Sequence, residues 1–158
     1  MQKSITKNSQ ETQNVGQNFA REILAAKPRQ KARLASRAAG ASAVVLALQG
    51  DLGAGKTTFL QGLAKGLGIK EVVNSPTFVI MKKFKLESLG FKFFYHFDLY
   101  RLENEKDLQL LNFQEIISNP ENIVTIEWPE KISKLLPENI IKINFTHVQE
   151  NKREIVIQ

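Results

Sequence analysis

The sequence contains no cysteine, a feature that excludes disulfide bonds and zinc sites built from thiolate ligands. Its two histidines are too few for a histidine metal cluster. No apolar run reaches the about 18 residues that a membrane-spanning helix needs, and the N-terminal residues lack the apolar segment of a secretion signal. These absences agree with a reducing compartment, so we expect a cytoplasmic protein that does not enter a membrane.

Positive charge is concentrated in the N-terminal part of the chain. The 158 residues carry a net charge of +6, and residues 1–42 contain eight lysines and arginines against two glutamates, a difference of six. Residues 43–158 hold the remaining fourteen basic and fourteen acidic side chains, so that part is balanced. Five of the basic residues lie in Lys27 to Arg37, which contains no acid. This basic stretch is either a solvated surface segment or a contact for RNA phosphates or an acidic partner.

A phosphate-binding loop is the strongest motif in the chain. The pattern of a glycine, four residues, Gly-Lys and a hydroxyl residue is matched by Gly50-Asp51-Leu52-Gly53-Ala54-Gly55-Lys56-Thr57, which follows the apolar run Ala43 to Leu48. The glycines let backbone N–H groups turn toward a phosphate chain at the N-terminus of the next helix. In this motif Lys56 reaches the β- and γ-phosphates, and the Thr57 hydroxyl binds Mg²⁺. The motif predicts a site for a nucleotide and magnesium.

The segments around the loop predict an α/β domain. Apolar residues at helical spacing follow the loop, and buried strands of the kind found in parallel sheets precede and follow it. Residues 140–145 and 154–157 read as a hairpin that closes the sheet. We therefore expect a P-loop NTPase-like three-layer sandwich, with a mostly parallel central sheet, antiparallel edge strands and flanking helices. It would form a single domain over residues 1–158, with a basic insertion at about 27–42.

The first helix is predicted over residues 10–26, with Ser9 as its N-terminal cap. Apolar residues recur every four positions on its core face, at Val15, Phe19 and Ile23. Pro28 is expected to end this helix because proline lacks the backbone N–H and crowds the preceding turn. Residues 29–39 are nevertheless rich in Ala, Arg, Lys and Leu, so parts of them favour a helix.

Two acids stand at the ends of apolar strands. Asp98 follows a strand in which alternation predicts one shared face for Phe91, Phe93, Tyr95 and Phe97. Glu127 follows the apolar run Ile123 to Ile126. Parallel strands bring their C-terminal ends to the same sheet edge as a phosphate loop, so both acids are expected to meet one metal ion. One would bind Mg²⁺ and the other would orient or deprotonate water, and the sequence leaves open which does which.

A short polar connection, Ser75-Pro76-Thr77, precedes another β-rich run. Proline keeps the preceding residue extended, so the two hydroxyl residues sit in a connection near the phosphate end of the sheet. The segment is either an ordinary turn or a switch-like segment whose hydroxyl senses the γ-phosphate or Mg²⁺.

The order of these pieces resembles the bacterial TsaE family, also called YjeE, the small ATPase of tRNA threonylcarbamoyladenosine biosynthesis. The matching blocks span most of the chain, and three of them are more specific than the loop itself: Ser75-Pro76-Thr77-Phe78, His96-Phe97-Asp98-Leu99-Tyr100-Arg101 and Glu127-Trp128-Pro129-Glu130. The basic stretch departs from the pattern, because the family has a shorter connection between its first helix and first strand.

The resemblance implies an ATP-binding protein that hydrolyses ATP weakly by itself. It would work with a threonylcarbamoyl transferase subunit and its paralogous scaffold subunit, which modify adenosine beside the tRNA anticodon. The protein would contact tRNA indirectly, or directly through Lys27 to Arg37. Carried over residue by residue, the resemblance assigns the loop with Thr58 to phosphate and Mg²⁺, and Thr77 to the switch-like segment. It assigns magnesium to Thr57, Asp98 and Glu127, and it assigns catalysis to Lys56 together with the same two acids. It places Trp128 in the site or on a partner surface.

Three other functions fit parts of the sequence. A small P-loop kinase would share the loop, although no arginine-rich lid follows it to clamp an acceptor phosphate. A nucleotide-dependent binding module would use ATP to control assembly, with hydrolysis incidental. A plain RNA-binding domain would rely on the basic stretch, and its RNA affinity would fall steeply with salt and ignore ATP.

Overall fold

The structure, a computed structural model, describes residues 1–35, 42–74, 80–87, 90–149 and 151–158, with the side chains of 27–35 and 105 outside the description. The strands are β1 (Gln2–Thr6), β2 (Val44–Gln49), β3 (Met81–Lys85), β4 (Phe93–Asp98), β5 (Asn122–Glu127), β6 (Ile141–Gln149) and β7 (Lys152–Ile157). The α-helices are α1 (Ser9–Ala35), α2 (Lys56–Gly66) and α3 (Phe113–Ser118). Two 3₁₀ helices span Glu105–Leu111 and Pro129–Leu135.

The described strands form one sheet in the order β1-β7-β6-β2-β5-β4-β3. Its centre is parallel, because β2 pairs with β5 and β6, and β5 pairs with β4, all in the same direction. Both margins are antiparallel, through β3 with β4, β6 with β7, and β7 with β1. The predicted fold class and the predicted closing hairpin are thus confirmed. The central strands β2, β4 and β5 are mostly apolar because helices cover both faces of the sheet.

Two hydrophobic clusters lie on opposite faces of the sheet. Helices α1 and α2 cover one face, where Phe94 packs. Helix α3 and residues of both 3₁₀ segments cover the other, where Tyr95 and Phe97 pack beside Phe93. The predicted face was wrong in one respect, because Phe91 belongs to the cluster of Phe94. Strand β4 begins at Phe93, so the alternation of a strand does not extend back to Phe91.

Helix α1 differs from the prediction at both ends. Asn8, and not Ser9, is the cap, since its Oδ1 accepts from the backbone N–H of Glu11 at 2.8 Å. The Oε2 atom of Glu11 in turn accepts a hydrogen bond from the backbone N–H of Lys7 at 2.8 Å. At the other end the helix continues past Pro28 to Ala35. A proline removes one intrahelical hydrogen bond, but the Ala, Arg, Lys and Leu residues after it favour further helix, as the sequence suggested.

Strand β1 was not predicted from the sequence. It pairs antiparallel with β7 from Gln2 to Thr6, with Thr6 opposite Arg153. Its residues are mostly polar and exposed, as expected for an edge strand, so neither alternation nor an apolar run marks it. Its buried end is tied to α1 by a 2.9 Å hydrogen bond between the hydroxyls of Thr6 and Thr12.

Candidate functional site

A cleft of about 220 Å³ opens where the phosphate loop meets the C-terminal ends of β4 and β5. The loop runs from the end of β2 to the start of α2, so the adjacent parallel strands deliver their last residues beside it. The cleft is lined by Leu52, Gly53, Gly55, Lys56, Thr57, Thr58, Asp98, Tyr100, Glu127 and Trp128.

The turn into α2 depends on Gly55. This residue has a φ of 103°, a left-handed conformation that side chains disfavour. A Cβ atom there would also lie 3.0 Å from the Cδ atom of Arg153 on β7. Glycine therefore lets the loop turn tightly and leaves room for the Arg153 side chain against it.

The Lys56 side chain lies in the loop itself. Its Nζ donates hydrogen bonds to the backbone carbonyls of Gly50 at 2.6 Å and Asp51 at 2.9 Å. The same ammonium group lies 4.2 Å from the ring centre of Trp128, a distance at which a cation and an aromatic face attract. In this arrangement the ammonium group is held by two loop carbonyls and the Trp128 ring.

Burial lowers the pKa of Lys56 below its usual value of 10.5, because removal from water disfavours the charged form. The negative charges of Glu127, Asp98, Glu130 and Asp51 oppose this shift and raise the pKa in part. The ammonium group is thus partly removed from water and lies in the field of nearby carboxylates, of which Asp98 and Glu127 line the cleft.

This pKa shift predicts a pH-dependent stability difference. Between the lowered pKa of the folded state and 10.5, the unfolded chain binds more protons at Lys56 than the folded chain does. The free energy of unfolding should therefore rise with pH across that window in the native protein relative to Lys56→Met. Urea unfolding at a series of pH values measures this difference, with Lys65→Met, an exposed position on α2, as the control. A difference that is flat or falls with rising pH would contradict the assigned burial.

The two predicted acids lie side by side at the sheet edge. Asp98 and Glu127 are paired residues of the parallel strands β4 and β5. Asp98 is half-buried, and its Oδ1 accepts a hydrogen bond from the N–H of Tyr100 at 3.1 Å. Glu127 is buried, and its Oε1 accepts one from Nε2 of His96 at 2.9 Å. The two carboxylates therefore differ in solvent access although they share the cleft.

Trp128 has an unusual backbone. Its φ of 62° and ψ of 50° are left-handed, and Pro129 follows it. A bulky residue in that region costs on the order of 1–3 kcal/mol, so the surrounding packing must hold it there. Its ring lies 5.1 Å from that of Tyr100, and Lys131 donates to the backbone carbonyls of Tyr100 and Leu102. These contacts keep two aromatic rings at the mouth of the cleft.

The structure brings most of the predicted site residues together. Gly53, Gly55, Lys56, Thr57, Thr58, Asp98 and Glu127 line the cleft, as does Leu52. Gly50 and Asp51 contribute carbonyls that accept from Lys56, and Ala54 is a buried residue of the loop. Thr77 lies outside the described residues, as does the rest of its segment, 75–79.

Sequence reasoning did not assign a role in the cleft to Tyr100, or to His96 in holding Glu127. A signal for Tyr100 was present, since it follows Asp98 by two residues within a family block. His96 and Glu127 also each begin a family block, but no sequence signal marked them as a pair, because they lie on different strands.

The donor atoms suit magnesium better than a metal held by protein alone. Among the described residues, no group of three His, Cys, Asp or Glu side chains forms a metal cluster. The hydroxyl of Thr57 and the carboxylates of Asp98 and Glu127 are oxygen donors, the kind that Mg²⁺ accepts. Magnesium commonly uses one or two carboxylates and completes its coordination with substrate phosphates and water.

Comparison with known proteins identifies the family. A sequence model described as "Threonylcarbamoyl adenosine biosynthesis protein TsaE" matches residues 6–155, nearly the whole chain. The chain belongs to the TsaE family. The resemblance found in the sequence is thereby confirmed, and TsaE proteins take part in tRNA threonylcarbamoyladenosine biosynthesis.

Individual TsaE proteins are similar over about 70% of this chain. The one from Bacillus subtilis is 42% identical over 112 residues, which are 70% of this chain and 66% of the relative, just under two thirds of its length. The one from Haemophilus influenzae is 36% identical over 117 residues, covering 73% of this chain and 72% of the relative. The crystal structure of YdiB from Bacillus subtilis superposes with a TM-score of 0.66 at 28% identity, covering 99% of this chain and 83% of YdiB.

None of the helices in the described part of the chain is long and apolar enough to span a membrane.

Proposed function

We propose that this TsaE protein binds and hydrolyses ATP and thereby supports the transferase that forms threonylcarbamoyladenosine in tRNA. The observation that carries this proposal is the cleft, in which a phosphate-binding loop faces two carboxylates from adjacent parallel strands. Membership of the TsaE family supports the pathway, since the relatives are named for tRNA threonylcarbamoyladenosine biosynthesis. Acting in tRNA modification, the protein would work in the cytoplasm.

Nucleotide binding begins with the loop and Lys56. The backbone N–H groups at the start of α2 would face the phosphates, where the helix dipole also favours negative charge. Lys56 would leave the carbonyls of Gly50 and Asp51 and transfer its hydrogen bonds to the β- and γ-phosphates. Its ammonium group would also move away from Trp128, so the electrostatic environment of the aromatic ring would change when ATP binds.

Hydrolysis would use the carboxylates. Thr57, Asp98 and Glu127 would hold magnesium, which neutralises charge on the phosphates when it is bound. Asp98 and Glu127 stand on the side of the cleft that faces the loop, where a carboxylate can orient a water molecule toward the terminal phosphate. Tyr100 and Trp128 would reduce the access of bulk water at the mouth of the cleft, which strengthens electrostatic interactions inside it.

The partners we propose are the threonylcarbamoyl transferase subunit and its paralogous scaffold subunit. Contact with tRNA would be indirect, or direct through Lys27 to Arg37. The backbone of this stretch extends α1 as far as Ala35, while its side chains and residues 36–41 lie outside the described part. A helix extended in this way would give a regular spacing to the basic residues it carries.

Partner-dependent turnover tests the proposal. We expect slow ATP hydrolysis by the isolated protein and at least about a tenfold rise in kcat when the transferase and scaffold subunits are added, since partners often complete such sites. Phosphate release would be measured with each partner alone, with both, and with or without tRNA, and Lys56→Met would report contaminating ATPase. Equal rates alone and in the mixture would refute the proposed coupling, and phosphate transfer to a small acceptor would establish the kinase alternative.

A further inference from the structure

A buried histidine lies behind the carboxylate of Glu127. The Nε2 atom of His96 donates to Oε1 of Glu127 at 2.9 Å, and the two side chains are 0% and 4% exposed. Glu127 lines the cleft, whereas His96 does not. Among the residues that the structure describes, the histidine therefore reaches the site through the glutamate.

Strand register explains how the two side chains meet. His96 and Asp98 lie on the same face of β4, because they are two residues apart, and Thr125 and Glu127 share a face of β5. The parallel pairing places Asp98 beside Glu127 and His96 beside Thr125. The Glu127 side chain thus contacts His96, which lies two residues before its paired residue Asp98 on β4, whereas Asp98 itself lines the cleft.

The hydrogen bond determines how Glu127 can present its oxygens. A carboxylate oxygen only accepts, so Nε2 of His96 carries the proton, and Oε1 is committed to it. The remaining lone pairs of Glu127, above all those of Oε2, are left for a ligand in the cleft. A carboxylate without such a partner rotates about its side-chain torsions, and each rotation changes the position of the oxygen that faces the cleft.

Packing alone does not account for this histidine. Its Nδ1 atom is buried and has no hydrogen-bond partner in the described part of the chain. A buried polar atom left without a partner costs about 1–3 kcal/mol, which an apolar side chain of similar size would avoid. The hydrogen bond to Glu127 offsets this cost. We therefore attribute the presence of His96 to its contact with Glu127 and not to its packing in the core.

We propose that His96 is a positioning residue that holds Oε1 of Glu127 and so directs Oε2 toward the magnesium of bound MgATP. This proposal rests on the nucleotide site of the proposed function. It uses a rule of metal sites, in which hydrogen bonds to a ligating carboxylate fix its orientation and their loss costs about 10–100-fold in metal affinity or activity.

The test compares three replacements of His96. His96→Gln keeps an N–H donor close to the position of Nε2, His96→Asn carries a shorter amide that does not reach Oε1, and His96→Leu removes the donor. Emission from Trp128, the single tryptophan, which lies in the cleft, would report ATP binding as Mg²⁺ is titrated at fixed ATP. Turnover with the partner subunits would be measured in parallel, and thermal unfolding would show which variants fold.

We expect the half-saturating Mg²⁺ concentration to rise about tenfold in His96→Leu and His96→Asn, with a similar fall in kcat, and to change less than about threefold in His96→Gln. The affinity for ATP without Mg²⁺ should be equal in all four proteins. Wild-type magnesium dependence in His96→Leu would overturn the proposal, and so would a loss in His96→Gln equal to that in His96→Asn. If His96→Leu does not fold, the comparison of Gln with Asn decides.

The magnesium titration separates this proposal from the proposed function. If the unsubstituted protein binds MgATP but shows no turnover with its partners, ATP hydrolysis is refuted. The magnesium titration would still decide the role of His96. A native protein that hydrolyses ATP while every His96 variant keeps its magnesium dependence would refute the positioning role alone.

Discussion

Replacing Lys56 by methionine should weaken ATP binding by at least about 100-fold. The ammonium group is expected to make two or more charge-assisted hydrogen bonds to phosphate oxygens, each worth about 1.5–3 kcal/mol, and 1.4 kcal/mol corresponds to a factor of ten in Kd. Methionine keeps the length and the apolar stem of the side chain. Titration calorimetry with MgATP measures the effect directly.

The folded state should tolerate this substitution. Burial already disfavours the charged form of Lys56, so a neutral side chain of similar shape removes that cost along with the bonds to Gly50 and Asp51. Lys65→Met, on the exposed side of the same helix, is the matched control and should bind ATP normally. Unchanged ATP affinity in a folded Lys56→Met protein would remove the loop from the nucleotide site.

Amide substitution of the two carboxylates should suppress turnover far more than nucleotide binding. In Asp98→Asn and in Glu127→Gln we expect kcat with the partners to fall by about 100-fold or more, the range seen when one preorganised electrostatic group is lost from an active site. The affinity for ATP should change less, because the loop and Lys56 hold the phosphates. A fall in kcat without a matching rise in Kd marks an interaction made in the transition state.

Glu127→Gln is an informative variant because its amide oxygen can still accept from His96, so the buried pair remains hydrogen-bonded while the charge is lost. Glu115→Gln provides the control, since that acid is exposed on α3 and does not line the cleft. Wild-type turnover in both Asp98→Asn and Glu127→Gln would exclude the carboxylates from the hydrolytic site.

Several features of the molecule follow from local sequence. The spacing of Gly50, Gly55 and Lys56 after an apolar run specifies strand, loop and helix within about twenty residues, and the structure has these elements in that order. Apolar runs that end in an acid specify β4 and β5 as buried strands with a carboxylate at the C-terminal end of each. Both patterns are short-range, so no tertiary information is needed to find them.

Predictions of the residue at which a helix begins or ends were less accurate. Asn8 and Ser9 are both good caps, but Oδ1 of Asn8 accepts from the Glu11 N–H and its amide donates to Oε1 of Glu11, so Asn8 is the cap. Pro28 reads as a helix end by itself, yet α1 continues to Ala35 because the residues after it are good helix formers. At each of these positions two local preferences competed, and the local sequence did not show which of them would prevail.

The sequence by itself determined the class of this protein: a phosphate loop, two strand-end acids and a set of blocks that place it in the TsaE family. Only the tertiary structure decided that Asp98 pairs with Glu127, that His96 holds Glu127 from behind, and that Trp128 lies over Lys56. Each of these contacts joins segments far apart in the chain. Their geometry depends on strand order and register, which arise when the whole sheet buries its two faces at once.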